Sequence, residues 1–303
     1  MKYTCTRVRK STSYMQLMTK LIPYRKDNKW GFSNSEKEII IKCIYDDIVT
    51  PFCNSNFNLS LVAKNNKTCW LNAKGIEVTP FADMTHPFSD KGISVIILNK
   101  EIDSVSVYPN CLFVDAHGKI LFENNFLTSN GYQNGLCIVM NQERKYGVIN
   151  PSGKIIHSFD ETDYMKVWEK IGRPYFYDTP KSKEITTSEL QKFTNDSRYI
   201  GFKNKKGDVV IQPKYYMAEC FSEGCSSVAI KEGEFFFISE KDEKTIGKTY
   251  YFCQSFKDGI AKVVTNQINE NPHKHSRWGV EYYIPELAKW GYIDLNGNEF
   301  WEN

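Results

Sequence analysis

Lys289-Trp290-Gly291-Tyr292-Ile293-Asp294-Leu295-Asn296-Gly297-Asn298-Glu299-Phe300 is the stretch on which the fold turns. It holds an aromatic residue and a glycine, a short apolar run, an Asp, two loose positions and a second glycine. That is the order of a strand, a hairpin loop and a returning strand. An Asx side chain accepts hydrogen bonds from the turn backbone, and glycine supplies the positive φ that lets the second strand leave as a bulge. The loop recurs at Asn72-Ala73-Lys74-Gly75, Asp115-Ala116-His117-Gly118, Asn150-Pro151-Ser152-Gly153 and Asn204-Lys205-Lys206-Gly207. Weaker copies run from Asn34 to Lys37 and from Ser239 to Asp242. Seven hairpins are therefore predicted.

A second motif follows downstream: an aromatic residue, two polar residues, a glycine and a mainly apolar strand. It is seen at Tyr132-Gln133-Asn134-Gly135, Phe221-Ser222-Glu223-Gly224, Phe256-Lys257-Asp258-Gly259 and, one residue longer, from Phe88 to Gly92. Gly75 to Gly92, Gly118 to Gly135, Gly207 to Gly224 and Asp242 to Gly259 are each 17 residues apart. Chance does not reproduce such an offset four times. The unit is three strands in roughly 35 residues, and the four glycines should be equivalent, each opening the third strand of its unit.

Lys29-Trp30-Gly31-Phe32, Tyr146-Gly147-Val148, Ile200-Gly201-Phe202 with Ile211-Gln212-Pro213-Lys214-Tyr215, and Lys289-Trp290-Gly291-Tyr292 resemble the bacterial WG-repeat family, also called KWG. Only the first and last copies keep the literal Lys-Trp-Gly; Trp70 is displaced by one position and Leu112 replaces glycine in the third copy. The resemblance implies a β-rich repeat array with a binding or scaffolding role. It brings no common catalytic residues and names no ligand. Physically, the aromatic ring covers a neighbouring unit while a residue without Cβ lets backbone approach closely, so stacked units build a core that none could build alone.

The chain ends have complementary defects. The last unit has its hairpin but no third strand; residues 18–25, before the Asp27-Asn28 turn into Trp30, read as a third strand without a hairpin. The expected fold is all-β, about seven three-stranded hairpin repeats in an open, twisted, solenoid-like array, with a closed propeller-like ring as the alternative. Roughly 35 residues is short for a propeller blade of about 40–45, which favours the open form. Residues 1–25 should then cover the first repeat and Phe300-Trp301 the last.

The 303 residues carry 39 basic and 36 acidic side chains, a net charge of +3, too small to imply a nucleic-acid or membrane partner. Seven of the bases lie in the first 26 residues, ahead of the first acid, Asp27. No run of eighteen apolar residues and no signal-peptide pattern occurs, so a cytoplasmic location is expected. The nine cysteines are scattered without CxxC pairs, which reads as reduced, buried thiols.

Two stretches interrupt the repeat. Residues 161–198 contain Glu161 to Lys170 and Thr186 to Phe193, both helical in pattern, the second opened by a capping box of Thr186 and Glu189. Residues 265–288 read as a loop insertion. The chain thus divides into an N-terminal array (1–160), a helical insertion (161–198) and a C-terminal array (199–303). Insertions in repeat proteins are common places for function, so Tyr164, Trp168, Tyr175 and Tyr177 in the first, and His273, His275 and Trp278 in the second, are the candidate partner-binding residues.

No chemistry rises above that level. His273 and His275 have strand spacing for one metal face but lack further ligands, and Cys220 and Cys225 lack a second pair. Walker, GxGxxG, GxSxG and HExxH motifs are missing. The expectation is a non-enzymatic protein-binding, scaffold or regulatory protein without metal, cofactor or membrane, whose partner is another protein such as an effector, toxin or defence component. The alternative is nucleic-acid binding through the basic N-terminal arm and the turns bearing Lys203, Lys205, Lys206, Lys214, Tyr215 and Tyr216.

Overall fold

The computed structural model describes residues 20–52, 57–101, 107–171, 188–265, 272–277, 280–285 and 290–302. Its recurring element is the Asx loop. Asn72 Oδ1 accepts the N–H groups of Lys74 and Ile76, Asp115 those of His117 and Lys119, and Asn150 those of Ser152 and Lys154. Asn204 holds Lys206 and Asp208 in the same way, and Asp294 holds Asn296 and Asn298. The glycine N–H closes each turn onto the Asx carbonyl, and Gly75, Gly118, Gly153, Gly207 and Gly297 take φ between 75° and 92°. The weaker copies make the same loop with Asn34 and Ser239 as acceptors. There Lys37 and Asp242 adopt φ of 66° and 67° without a glycine's freedom.

Around these loops the strands form antiparallel sheets in chain order. The first holds β1 (Ile22–Lys26), β2 (Lys29–Ser33) and β3 (Ile39–Tyr45); the second β4 (Asp47–Thr50), β5 (Leu59–Lys64) and β6 (Lys67–Asn72). The third holds β7 (Met84–Thr85), β8 (Ile93–Glu101) and β9 (Val107–Asp115). The fourth, alone among the described residues, has four strands, β10 (Thr128–Gln133), β11 (Leu136–Met140), β12 (Tyr146–Ile149) and β13 (Ile155–Phe159), and is followed by helix α1 (Tyr164–Ile171). The fifth comprises β14 (Gln191–Thr194), β15 (Ile200–Lys203) and β16 (Val209–Tyr215), and the sixth β17 (Met217–Ala218), β18 (Ser226–Ala229) and β19 (Phe235–Ile238). In the seventh, β20 (Phe252–Cys253) and β21 (Ile260–Val264) pair with β24 (Trp290–Asp294); β22 (Pro272–Arg277) and β23 (Val280–Pro285) pair with each other. Among the described residues no sheet closes on itself, which fits the open repeat array expected.

The core lies between sheets rather than within them. Phe113, Phe126, Tyr132, Cys137 and Val139 join the third sheet to the fourth, and Phe202, Tyr215, Phe221 and Ile238 join the fifth to the sixth. Burying each such ring contributes about 2–3 kcal/mol, more than any turn hydrogen bond. Trp70, the displaced aromatic, serves the same end: it is buried, packs on Phe88 at 5.0 Å and donates Nε1–H to Ser94 Oγ of the third sheet at 3.3 Å.

The Trp301 ring covers Gly291 of the last repeat as expected, but the two ends of the chain also meet each other, which the expectation of separately capped ends did not include. Arg25 N–H donates to the Phe300 carbonyl at 3.2 Å, Glu302 N–H donates to the Arg25 carbonyl at 2.9 Å, and the Tyr24 hydroxyl reaches Glu302 at 3.2 Å. Leu21, Ile22, Trp30 and Phe32 share one buried cluster with Ile260, Tyr292 and Phe300. The backbone contact is a single parallel bridge, Arg25 to Trp301, not a ladder. The apolar rings on both ends are what bring them together.

Three further expectations are corrected. Gln191 to Phe193, read as part of a helix, lies in β14 and pairs with β15 through Gln191–Lys203 and Phe193–Gly201, because the fifth sheet needs a first strand and long-range pairing overrides local propensity. Residues 265–288 hold a β-hairpin, β22 with β23, not a loop alone. Finally, Gly92, Gly135, Gly224 and Gly259 open the second strand of their sheets, since each sheet takes its first strand from the preceding sequence unit. Gly135, Gly224 and Gly259 follow a residue of positive φ in a two-residue turn, whereas Gly92 closes a four-residue loop on Ser89.

Candidate functional site

The helix that interrupts the array is packed on the fourth sheet. Val167 and Ile171, one turn apart, are buried against Ile138 and Val148. Asn134 Nδ2 donates to the Ile171 carbonyl at 3.1 Å, satisfying one acceptor at the helix end. Lys166, Glu169 and Lys170 form the exposed face, with Met165 exposed beside them.

Tyr164 and Trp168 complete an aromatic row that the sequence did not reveal. Trp168 lies 6.4 Å from Tyr164, Tyr164 lies 5.3 Å from Tyr146, and Tyr146 stacks on Phe159 at 5.7 Å. All four rings are half-buried. Tyr146 separates two hollows. One, of about 250 Å³, is lined by Phe126, Val139, Gly147, Ile155 and Phe159, with Asn141, Lys145, Ser158 and Asp160 supplying polar groups. The other, about 120 Å³, runs under Tyr164 along β10 and β11. Beside them β13 is exposed at Ile155 and Ile156.

The larger hollow follows from a missing bulge. In the first sheet Phe32 pairs with Ile41 but Trp30 pairs with Tyr45, so β3 carries two extra residues opposite Gly31; β16 repeats this opposite Gly201. A Cβ on Gly31 would lie 2.3 Å from the Ile41 carbonyl oxygen, and on Gly201 2.6 Å from that of Ile211. In the fourth sheet Tyr146, Gly147 and Val148 pair with Phe159, Ser158 and His157 in unbroken register. A Cβ on Gly147 would meet the Ile155 side chain at 3.3 Å and the His157 carbonyl oxygen at an ordinary 3.5 Å. The available signal was spacing: eight residues separate Lys37 from Tyr45 and Gly207 from Tyr215, but six separate Gly153 from Phe159.

The other candidates are dispersed. Tyr175, Tyr177 and Trp278 lie outside the described residues. His273 and His275 sit two apart on β22, opposite Ile284 and Tyr282, in a hairpin between β21 and β24 and so apart in the chain from α1. Trp30 is buried edge-on to Tyr292 at 5.9 Å. Trp290 is half-buried with Lys262 Nζ 4.6 Å above its ring, and Gly291 is overlaid by the Trp301 ring. Lys205 pairs with Glu189 at 2.8 Å, Lys214 and Tyr215 both engage Asp242, and Lys203 lies 6.0 Å over Phe193. Lys203, Lys205 and Lys214 are thus engaged within the protein, while the basic stretch before residue 20 lies outside the described residues.

Titratable groups in the core are held in their neutral forms. Burial pushes the Cys69 thiol up to about 11 and those of Cys111 and Cys137 up to about 12. At neutral pH they are protonated, poor nucleophiles. Burial lowers His86 to about 4, against an opposing backbone hydrogen bond with Ser129. Among the described residues no three His, Cys, Asp or Glu side chains are grouped to hold a metal ion, and no helix is long and apolar enough to cross a membrane.

Residues 30–67 and 200–232 match the model of the WG containing repeat. Both matches take in a doubled bulge, that of β3 or of β16, and run on into the following sheet, so over these residues the chain is similar to WG repeats. No curated protein matches the sequence. Among solved structures, the chain is similar to a eukaryotic initiation factor (TM-score 0.41, 10% identity, 93% of this chain and 96% of that one). It is also similar to BamB from Moraxella catarrhalis (0.27, 7%, 83% and 94%) and to the computationally designed Ika8 protein (0.24, 8%, 93% and 86%).

Proposed function

We propose that this chain is a non-enzymatic protein-binding repeat protein, a scaffold or regulator, which presents the surface around α1 and β13 to another protein. The observation that carries this reading is the half-buried row of Tyr146, Phe159, Tyr164 and Trp168 beside exposed Ile155, Ile156 and Met165. In the third, fifth and sixth sheets Phe113, Phe126, Phe202 and Phe221 are spent on joints between sheets. Here the rings border solvent, where among the described residues the one α-helix interrupts the array, and aromatic rings with exposed aliphatic neighbours are the composition of binding surfaces. A cytoplasmic bacterial effector, toxin or defence component to be recruited or inhibited is the partner class this reading favours.

The test is capture from native lysate with the full chain at low salt. A stoichiometric partner that is lost on Met165→Asp, with unfolding midpoint unchanged, is the expected result. Recovery of no such partner, or equal capture by the variant, counts against the surface.

A further inference from the structure

The outer strands of three sheets differ in how their edges are guarded. An open strand edge is a template for another strand, and proteins blunt it with bulges, proline and lysine. β3 carries its two-residue bulge and Lys42; β16 carries the same bulge with Pro213 and Lys214. β13, Ile155-Ile156-His157-Ser158-Phe159, has neither lysine nor proline, and its only register shift lies at its start, between Val148 and Ile149 of its partner. It pairs with β12 on one side and is the last strand of its sheet among the described residues. Ile155 and Ile156 are 46% and 53% exposed. The same loss of the bulge that bares this edge opens the hollow over Gly147.

We propose that β13 and the adjoining hollow receive an extended segment of a partner protein, added as a further strand of the fourth sheet. This rests on the protein-binding reading and names the form of the partner. Main-chain pairing with β13 supplies affinity, and alternate side chains of the incoming strand supply specificity. One apolar side chain of that strand enters the hollow beside Phe159 and Ile155. Its volume of about 250 Å³ suits one or two side chains and falls below the range of roughly 300–1,000 Å³ typical of small-molecule sites. Charge sets the direction. The five uncharged residues of β13 are flanked by Lys154 before and by exposed Asp160 and Glu161 after. The matching segment is apolar at alternate positions, acidic at the end meeting Lys154 and basic at the end meeting Asp160.

A second copy of this chain is the weaker occupant. A five-residue strand pair covers far less than the roughly 1,200 Å² of a stable protein interface, whereas a peptide anchored by a side chain needs no such area.

The experiment is selection of peptides from a random ten-residue display library on the full-length protein, followed by titration of synthetic versions of the enriched sequences. Enriched peptides should share alternating apolar positions with a basic residue at one end. Ile156→Lys, which installs the missing guard at an exposed position, should weaken them more than tenfold; Gly147→Ala, which intrudes on the hollow, should weaken them about threefold or more. Ile230→Asp, at an exposed position beside β18 in the sixth sheet, should leave them unchanged. Absence of enriched peptides, equal binding to Ile156→Lys, or a concentration-dependent dimer abolished by Ile156→Lys would each overturn the proposal. A lysate partner that is lost on Met165→Asp but kept by Ile156→Lys would preserve the protein-binding reading while removing this site.

Discussion

Gly31 and Gly147 occupy the same position of the same motif, and the chain treats them in opposite ways. Over Gly31 the doubled bulge of β3 lays its backbone so close that no side chain fits, and the fifth sheet repeats the arrangement at Gly201. Over Gly147 the strand returns two residues sooner and the space is left to a hollow bordered by Ile155. Neither Gly31 nor Gly147 has positive φ, so closeness of approach is the only demand glycine meets here. The motif therefore does not fix what its glycine does. The length of the strand after the next turn decides, and shortening it converts a packing contact into an accessible surface.

The aromatic residue before the glycine gives the largest expected contrast. Trp30 is buried between the two ends of the chain, edge-on to Tyr292. Trp30→Ala should lower unfolding free energy by about 4 kcal/mol in denaturant titration, from lost burial and the cavity left behind. Tyr146, half-buried at the hollow, should cost about 1–2 kcal/mol when changed to Ala. Equal losses would mean that the fourth sheet depends on its motif as the first does, and that its hollow is part of the core.

Gly31→Ala and Gly201→Ala come next. Each added methyl would meet carbonyl oxygen at 2.3 or 2.6 Å, and backbone held by pairing on both sides of a bulge gives way only at the expense of those pairs. A loss of about 3 kcal/mol is expected for each. A loss under about 1 kcal/mol at both would show that the bulge can shift, and the distinction between covered and uncovered glycines would fall.

The fourth sheet also has a covered glycine, and it is sensitive to acid. Gly131, φ 77°, lies against the His86 imidazole, its absent Cβ 3.0 Å from Nδ1. Around His86 stand the Ser129 backbone and Ser94, whose hydroxyl donates to the His86 carbonyl at 2.6 Å. Because burial lowers this imidazole to about 4 from its ordinary 6.5, the unfolded chain takes up its proton first. The stabilisation is complete above pH 6.5 and is lost as pH falls through 4, on the order of 3 kcal/mol across that window. Wild type should lose stability between pH 6.5 and 5 faster than His86→Leu. Parallel curves would remove His86 from the account.

Much of this was legible in the chain. The Asx loops follow from local chemistry alone, each needing only an acceptor side chain and a residue tolerant of positive φ, which is why even Asn34 to Lys37 and Ser239 to Asp242 were readable. Glu161 to Lys170 read as helical, and α1 lies within one residue of that stretch. What was missed depends on pairing. Gln191 to Phe193 has helical periodicity yet is claimed by β15, and residues 272–285 carry no turn signal strong enough to announce a hairpin. The site was half visible: Tyr164 and Trp168 were named, but their neighbours Tyr146 and Phe159 belong to ordinary repeat positions. Only the count of residues from Gly153 to Phe159 distinguished them, and its meaning depends on knowing that the other copies bulge.

The smallest expected effect is the most discriminating. Gly147→Ala places a methyl 3.3 Å from Ile155 Cγ2, the end of a side chain that is 46% exposed and free to turn aside. Backbone φ at this position suits any L-residue, and replacing glycine in a strand restricts the unfolded chain, a gain of about 0.4–1 kcal/mol where no strain opposes it. The two effects nearly cancel, so stability should change by less than about 0.5 kcal/mol in the same titration that finds Gly31→Ala severely destabilised. A loss comparable to that of Gly31→Ala would mean that β13 presses on Gly147 as β3 does on Gly31, and there would then be no room over the fourth sheet for any partner. A neutral result leaves a folded protein whose hollow is smaller by one methyl group, so that any loss of binding it shows comes from the surface and not from the fold.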